Sequence, residues 1–126
     1  TIGAHTRRHM ALAGLEQAEM RAEIEGSVRR LEQELGRPCR HFSYPYGDER
    51  SAGPREFALA AELGLKTAVT TRKGVIGEDA ARTLTALPRV SLNGDFQDPR
   101  YVKVLLSGAP FALRDWLRRF ASSPTT

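Results

Sequence analysis

The sequence is poor in cysteine and in long apolar runs. Its 126 residues include one cysteine, Cys39, so an internal disulfide is excluded, and the apolar residues around it predict a buried, unreactive thiol. No apolar run approaches the roughly 20 residues that a membrane-crossing helix needs, and no signal segment is recognisable. Because the chain opens at Thr1 without a methionine, we expect the natural N-terminus to lie elsewhere, which leaves cytoplasm and cell envelope both open.

Basic residues exceed acidic ones, nineteen to fifteen, and give a net charge of +4. Arginines are scattered among glutamates and do not form a stripe with aromatic residues, so we expect no nucleic-acid binding. A composition of 40% hydrophobic and 27% charged residues is that of an ordinary globular protein. The length favours one domain, which we place at residues 1–121, followed by a polar tail at 122–126.

Apolar periodicity and turn residues predict alternating strands and helices. Thr1–Ala4 is the end of a strand, and a loop covers 73–86. The remaining predicted elements are a helix at 16–35, a strand at 40–46, a helix at 54–63, strands at 66–71 and 87–92, a turn at 93–95, and helices at 98–107 and 110–120. This order predicts an α/β fold with parallel strands.

Functional groups in such folds gather where strands end, which selects the residues after Ala4 and after Ser43. His5 and His9 follow Ala4, and on a helical turn residues four apart share a face, so both imidazoles could bind one zinc ion or a first-row neighbour. Two surface histidines without a ligand are the alternative from spacing alone. Two ligands are also fewer than the three of a typical catalytic site.

The segment after Ser43 is Tyr44-Pro45-Tyr46-Gly47-Asp48, a stiff turn that can aim a backbone N–H into a cleft, as an oxyanion donor requires. An aromatic turn that only packs against the core is the alternative. By strand alternation His41 lies opposite Phe42, and we interpret it as structural.

Three features together resemble the polysaccharide deacetylases, the NodB-homology group also called carbohydrate esterase family four. They are His-Thr-x-x-His at 5–9, a helix ending in Leu-Gly-Arg-Pro at 35–38, and Tyr-Pro-Tyr-Gly-Asp at 44–48. The resemblance covers residues 1–71 and extends to about 92. It implies part of a (β/α) barrel and a hydrolase of non-peptide carbon–nitrogen bonds that removes acetyl groups from N- or O-acetylated carbohydrate.

The resemblance also assigns roles to individual residues. His5 and His9 would hold a divalent metal, zinc in first place with cobalt, nickel or iron as alternatives, and Thr6 would steady their loop. The backbone N–H of Tyr46 would bind the oxyanion, and Tyr44, Pro45 and Tyr46 would contact the acetylated carbohydrate.

The sequence departs from the family pattern in several places. No aspartate pair precedes His5, Ser43 stands where many members have arginine, and no histidine follows His41 to act as the late general acid. The pair Asp115-Trp116 is out of order and is interpreted as helix packing, with Trp116 and Phe120 on one packed face. We therefore expect an incomplete fragment without activity of its own. A non-catalytic NodB-like scaffold or carbohydrate-binding module is the alternative, and missing strands would favour self-association through exposed sheet edges.

Overall fold

A computed structural model describes residues 1–77, 82–92, 94–95 and 97–121, with the side chains of 120 and 121 excepted. The helices are α1 (Gln17–Leu35), α2 (Pro54–Glu62), α3 (Pro99–Leu106) and α4 (Ala109–Ala121). The strands are β1 (His41–Ser43), β2 (Thr67–Lys73) and β3 (Leu87–Arg89), and 3-10 turns lie at Leu12–Gly14 and Leu84–Ala86.

The three strands form one sheet in the order β1-β2-β3. β1 and β2 are parallel, in a register that runs from His41 opposite Thr67 to Ser43 opposite Val69. Ala4 adds a parallel bridge to Phe42, which is all that the described structure retains of the predicted strand at Thr1–Ala4. The predicted α/β fold with parallel strands is confirmed, and it corresponds to part of a (β/α) barrel. Self-association through sheet edges stays a prediction.

Helix α1 follows its apolar periodicity. Met20 and Ile24 are fully buried, and Val28 and Leu31 pack partly buried against the core. Gly36 ends the helix in a left-handed conformation, with φ of 62°, and its N–H binds the carbonyl of Glu32. The predicted helix is confirmed to within one residue.

The core lies between the sheet and helices α1 and α2. Phe42, Tyr44 and Phe57 meet edge to face, with centroid distances of 5.1 and 5.3 Å. Pro54 begins α2, where its missing N–H is not needed, and the Glu56 carboxylate accepts from the N–H of Gly53 at 2.6 Å. The ring of Phe57 on α2 thus packs against Tyr44, which follows β1.

Several predicted boundaries shift in the structure. β1 is shorter than 40–46, because Tyr44 already belongs to the following turn, whereas β2 continues to Lys73, and β3 ends at Arg89, short of 92. The predicted loop at 73–86 contains a 3-10 turn, and its residues 78–81 lie outside the described residues. The same holds for Asn93 in the predicted turn and for the tail at 122–126.

The chain divides into two compact units, and the single domain expected at 1–121 stays a prediction. The first comprises Thr1–Arg72 and Ile76–Pro88, and the second comprises Lys73–Val75 and the residues from Arg89 onward. Helices α3 and α4 belong to the second unit. On α4, Leu113, Trp116 and Leu117 are more than half exposed. The Phe120 side chain lies outside the described side chains, so the packing of Trp116 with Phe120 stays a prediction. Among the described helices, none has the length and apolar character to cross a membrane.

Candidate functional site

Residues 5–9, here called the histidine loop, bring two imidazoles together. The ring centroids of His5 and His9 lie 4.8 Å apart, in an edge-to-face arrangement. The loop is not a helical turn, since Thr6 and His9 have φ of 61° and 56°. The expected proximity is therefore present, but its predicted cause, the helical spacing of four, is wrong.

The histidine loop holds a strained backbone. Left-handed φ is a genuine outlier for a β-branched residue such as Thr6, and such conformations cost on the order of 1–3 kcal/mol each. The hydroxyl of Thr6 accepts a hydrogen bond from the N–H of His9 at 3.1 Å, which closes the loop on itself. This bond is the steadying contact that the family resemblance implies for Thr6.

The imidazole of His5 is oriented by the end of β1. Its Nδ1 lies 2.7 Å from the carbonyl oxygen of Ser43. Because a carbonyl oxygen can only accept, Nδ1 must carry the proton, and the neutral ring then has its lone pair on Nε2. A backbone carbonyl that fixes the tautomer in this way is a common partner of metal-binding histidines.

A buried carboxylate from α1 supports the histidine loop from beneath. Glu23 is 2% exposed, and its Oε2 accepts from the N–H groups of Arg7 and Arg8 at 2.9 and 3.0 Å. Its Oε1 accepts from Nε of Arg8 at 2.6 Å. Burial by itself would raise the pKa of Glu23, but these hydrogen bonds outweigh it and lower the pKa, so the carboxylate is ionised at neutral pH.

The turn after β1 places Tyr46 beside the histidine loop. Tyr46 has φ of 62°, and its ring centroid lies 5.1 Å from that of His9. The hydroxyl of Thr71 donates to the carbonyl of Tyr46 at 2.6 Å, and the N–H of Thr71 donates to the carbonyl of Gly47 at 3.0 Å. Within the described residues the N–H of Tyr46 has no acceptor, so it is available to a ligand.

Tyr44 and Pro45 occupy the core side of this turn. Both are less than 2% exposed, and the Tyr44 hydroxyl donates to the carbonyl of Thr85 at 2.8 Å. Burial, together with the charge of Glu56, raises the pKa of Tyr44 well above its usual value. We expected Tyr44 and Pro45 to contact carbohydrate, but both side chains are buried and anchor the turn instead. The side chain of Tyr46, in contrast, is 59% exposed.

The donor set suits a first-row metal ion but is not complete. Imidazole nitrogens are ordinary ligands of zinc, cobalt, nickel and iron, and two of them converge here. Among the residues that the structure describes, no group of three histidine, cysteine or acidic side chains is placed to share an ion. The histidine pair is thus half of a typical metal site.

Comparison with known families agrees with this geometry. The family model for polysaccharide deacetylase matches residues 1–68, a span that contains the histidine loop and the turn at Tyr46. The chain belongs to the polysaccharide deacetylase family.

Two solved structures share the fold of this chain. The deacetylase PplD of Streptococcus pyogenes, in complex with acetate, superposes with a TM-score of 0.72 at 23% identity over 82% of this chain and 43% of its own. IcaB from Ammonifex degensii gives a TM-score of 0.57 at 20% identity over 75% of this chain and 42% of its own. The chain spans less than half the length of either structure. No match was found among curated protein sequences.

Two residues predicted to be structural remain so in this member of the deacetylase family. Nδ1 of His41 lies 2.8 Å from the hydroxyl of Thr67, so the ring links β1 to β2. Cys39 is buried, as its apolar surroundings predicted. Neither side chain belongs to the histidine loop.

Glu23 and Thr71 are the site residues that sequence reasoning missed. Glu23 follows Met20 by three positions and so lies on the apolar face of α1. That position was the available signal. Thr71 carried none, because its bond to Tyr46 spans 25 residues and depends on the pairing of β1 with β2.

A groove of about 760 Å³ lies beside the histidine loop. Its lining includes His5, Thr6 and Arg7 together with residues of α1, and it includes neither His9 nor Tyr46. A ligand in this groove would therefore contact His5 but not His9 or Tyr46.

Proposed function

We propose that the chain supplies the histidine half-site and the oxyanion donor of a metal-dependent deacetylase that acts on acetylated carbohydrate. The observation that carries the proposal is the convergence of His5, His9 and Tyr46. The ring centroid of His9 lies 4.8 Å from that of His5 and 5.1 Å from that of Tyr46. Family membership supports the same conclusion.

His5, through Nε2, and His9 would be the protein ligands of a divalent ion, with zinc as the first candidate and cobalt, nickel or iron as alternatives. A bound ion of this kind lowers the pKa of a water molecule and polarises the acetyl carbonyl. The Nδ1–H bond of His5 to Ser43 keeps the ring in the tautomer that ligation requires.

The backbone N–H of Tyr46 would stabilise the oxyanion that forms when water attacks the acetyl carbonyl. Tyr46 has a positive φ, and the Thr71 hydroxyl holds the turn by donating to the Tyr46 carbonyl. A donor of this kind contributes about 3 kcal/mol to lowering the barrier. Collapse of the oxyanion breaks the bond to nitrogen or oxygen; the proton lost by the attacking water passes to that leaving atom, so the products are acetate and the free amine or hydroxyl of the sugar.

Acetylated sugar is the substrate class that the comparisons favour. The family takes its description from polysaccharide deacetylation, and the PplD structure was solved with acetate, the product that such a reaction releases. N-acetyl and O-acetyl groups both fit this chemistry, since each presents the same carbonyl to attack.

The third metal ligand and the catalytic base are proposed to be an aspartate pair outside the described residues, as the family pattern implies. The chain spans 43% and 42% of its structural neighbours, so the proposed activity belongs to the full-length protein. We expect no acetate release from these 126 residues alone.

The proposal is tested by measuring acetate release from acetylated chito-oligomers by the full-length protein loaded with zinc. His5→Ala and His9→Ala should each abolish release, whereas His41→Ala, which removes a histidine bound to Thr67, should keep it. Equal activity in all three variants would exclude the histidine pair as the metal site.

A second candidate is a non-catalytic, carbohydrate-binding member of the family. The observation in its favour is that the described residues provide two metal ligands and not three. It predicts that the full-length protein binds chito-oligomers in a titration, releases no acetate, and is unaffected by His5→Ala.

A further inference from the structure

The histidine loop is shaped by contacts that do not involve the histidines themselves. Between His5 and His9, the peptide N–H groups of Arg7 and Arg8 both point at one oxygen of Glu23. Two successive amides directed at one carboxylate form an anion-binding arrangement that fixes the orientation of both peptides. The loop therefore follows the position of a side chain that comes from α1.

Both oxygens of Glu23 accept hydrogen bonds, and acceptance at both favours the ionised form. Oε2 accepts hydrogen bonds from the two amides, and Oε1 accepts one from Nε of Arg8. The side chain of Arg8 is 55% exposed and also donates to the exposed Glu19. Every partner is a donor, so an amide in place of the carboxylate would turn an NH₂ group toward at least one N–H. The site is thus specific for a carboxylate and not only for a side chain of this size.

The strained residues stand on either side of this contact. Thr6 precedes Arg7, and His9 follows Arg8, and both have positive φ. Unfavourable backbone conformations persist only where the surrounding structure over-determines them. The bonds to Glu23 and the internal bond from His9 N–H to the Thr6 hydroxyl are the interactions that meet this requirement.

We infer that Glu23 is a positioning residue of the metal site, which sets the separation and direction of His5 and His9 through the backbone between them. The inference rests on the proposed metal-binding function. Glu23 touches neither metal nor substrate; it acts through the peptides of Arg7 and Arg8. Removing its charge should loosen the loop while the core beneath α1, formed by Met20 and Ile24, stays packed.

The test is a zinc titration of the full-length protein, followed by the NMR signals of His5 and His9, for wild type, Glu23→Gln and the matched control Glu19→Gln. All are measured under conditions where far-UV circular dichroism shows a full fold. We expect Glu23→Gln to weaken zinc binding by about tenfold or more, as loss of an indirect support of a metal site does. Glu19→Gln removes the exposed partner of the same arginine and should change affinity by less than about twofold.

Amide hydrogen exchange of the zinc-free chain tests Glu23 without the metal. Glu23→Gln should accelerate exchange at Arg7 and Arg8, and leave the β1–β2 amides unchanged. Unchanged exchange at Arg7 and Arg8, or unchanged zinc affinity while wild type binds zinc, would overturn the inference alone. Absence of zinc binding by wild type, at the level of a His5→Ala/His9→Ala control, would overturn the proposed function and this inference with it.

Should Glu23→Gln fail to fold, Arg8→Met provides the second variant. It keeps the apolar stem of Arg8 and removes the guanidinium from Oε1, while both backbone bonds to Oε2 remain. We expect zinc affinity to fall by a few-fold, less than the loss expected for Glu23→Gln. An affinity equal to that of wild type would contradict the inference.

Discussion

The imidazole of His5 donates its Nδ1–H to the backbone carbonyl of Ser43 at 2.7 Å. The bond joins the histidine loop to the end of β1 through a main-chain atom, so the identity of the side chain at position 43 does not decide it. The serine that replaces the family's frequent arginine is therefore compatible with an oriented His5.

Ser43→Ala should leave His5 in the Nδ1-protonated tautomer and zinc affinity within about twofold of wild type, because the carbonyl acceptor is retained. Long-range proton–nitrogen NMR correlations of the neutral ring report the tautomer directly. His5→Gln serves as the contrasting variant, since it removes the ligand and should abolish zinc binding at the pair. A shift of His5 to the Nε2-protonated form in Ser43→Ala would show that the serine hydroxyl, and not the carbonyl, orients the ring.

Thr71→Val should loosen the turn that carries Tyr46. The change keeps the shape of the side chain and removes the 2.6 Å hydrogen bond to the Tyr46 carbonyl, at a cost of about 1 kcal/mol in the free energy of unfolding. Urea unfolding measures this cost, and in the full-length protein we expect a lower kcat with little change in KM. Thr71→Ser, which retains the hydroxyl, should behave as wild type; an equal loss in both variants would assign the effect to packing.

Sequence patterns were sufficient to predict the helices whose ends are marked by nearby residues. Helix α1 is marked by its apolar spacing and by Gly36, and helix α2 by Pro54 and Gly64, so their limits were predicted within one residue. The conjunction of His5, His9 and Tyr46 followed from the rule that parallel strands end at one edge of a sheet.

The remaining features depend on contacts between distant segments. Nothing in the local sequence favours a left-handed Thr6 or Tyr46. The turn at Tyr46 is held by Thr71 of β2, and the loop at Thr6 is held by the bonds from its next residues to Glu23 of α1 as well as by its own bond from His9. Glu23 is a charged residue whose burial becomes favourable only when the amides of Arg7 and Arg8, sixteen and fifteen residues earlier, are in place. Such a pairing has no periodic signature.

The ionisation of Glu23 should make stability depend on pH in the acid range. Its pKa is lowered in the folded state relative to the ordinary value of 4.5, so the unfolded chain binds more protons there and the free energy of unfolding rises with pH. The contribution is fully present above the unfolded value and is lost as pH falls through the lower folded value. Urea unfolding between pH 7 and 3 should show wild type and Glu23→Gln converging at the acid end.

A control distinguishes this effect from general acid destabilisation. Glu34 lies on the exposed side of α1 in a pair with Arg30, and Glu34→Gln should change stability by less than about 0.5 kcal/mol throughout the same pH range. A constant difference between wild type and Glu23→Gln at every pH would contradict an ionised Glu23 as the stabilising group.

Gly47 and Gly36 offer a matched pair for the turn that carries Tyr46, because their φ values are 66° and 62° but their surroundings differ. A Cβ on Gly36 meets nothing within 4 Å, so Gly36→Ala should cost only the left-handed strain, roughly 1–2 kcal/mol. A Cβ on Gly47 would lie 2.7 Å from the backbone nitrogen of Thr71, and the forced shift should add about 1–3 kcal/mol and displace the Tyr46 peptide. Urea unfolding of the two variants measures the difference, and equal destabilisation would contradict the close contact between the turn and β2.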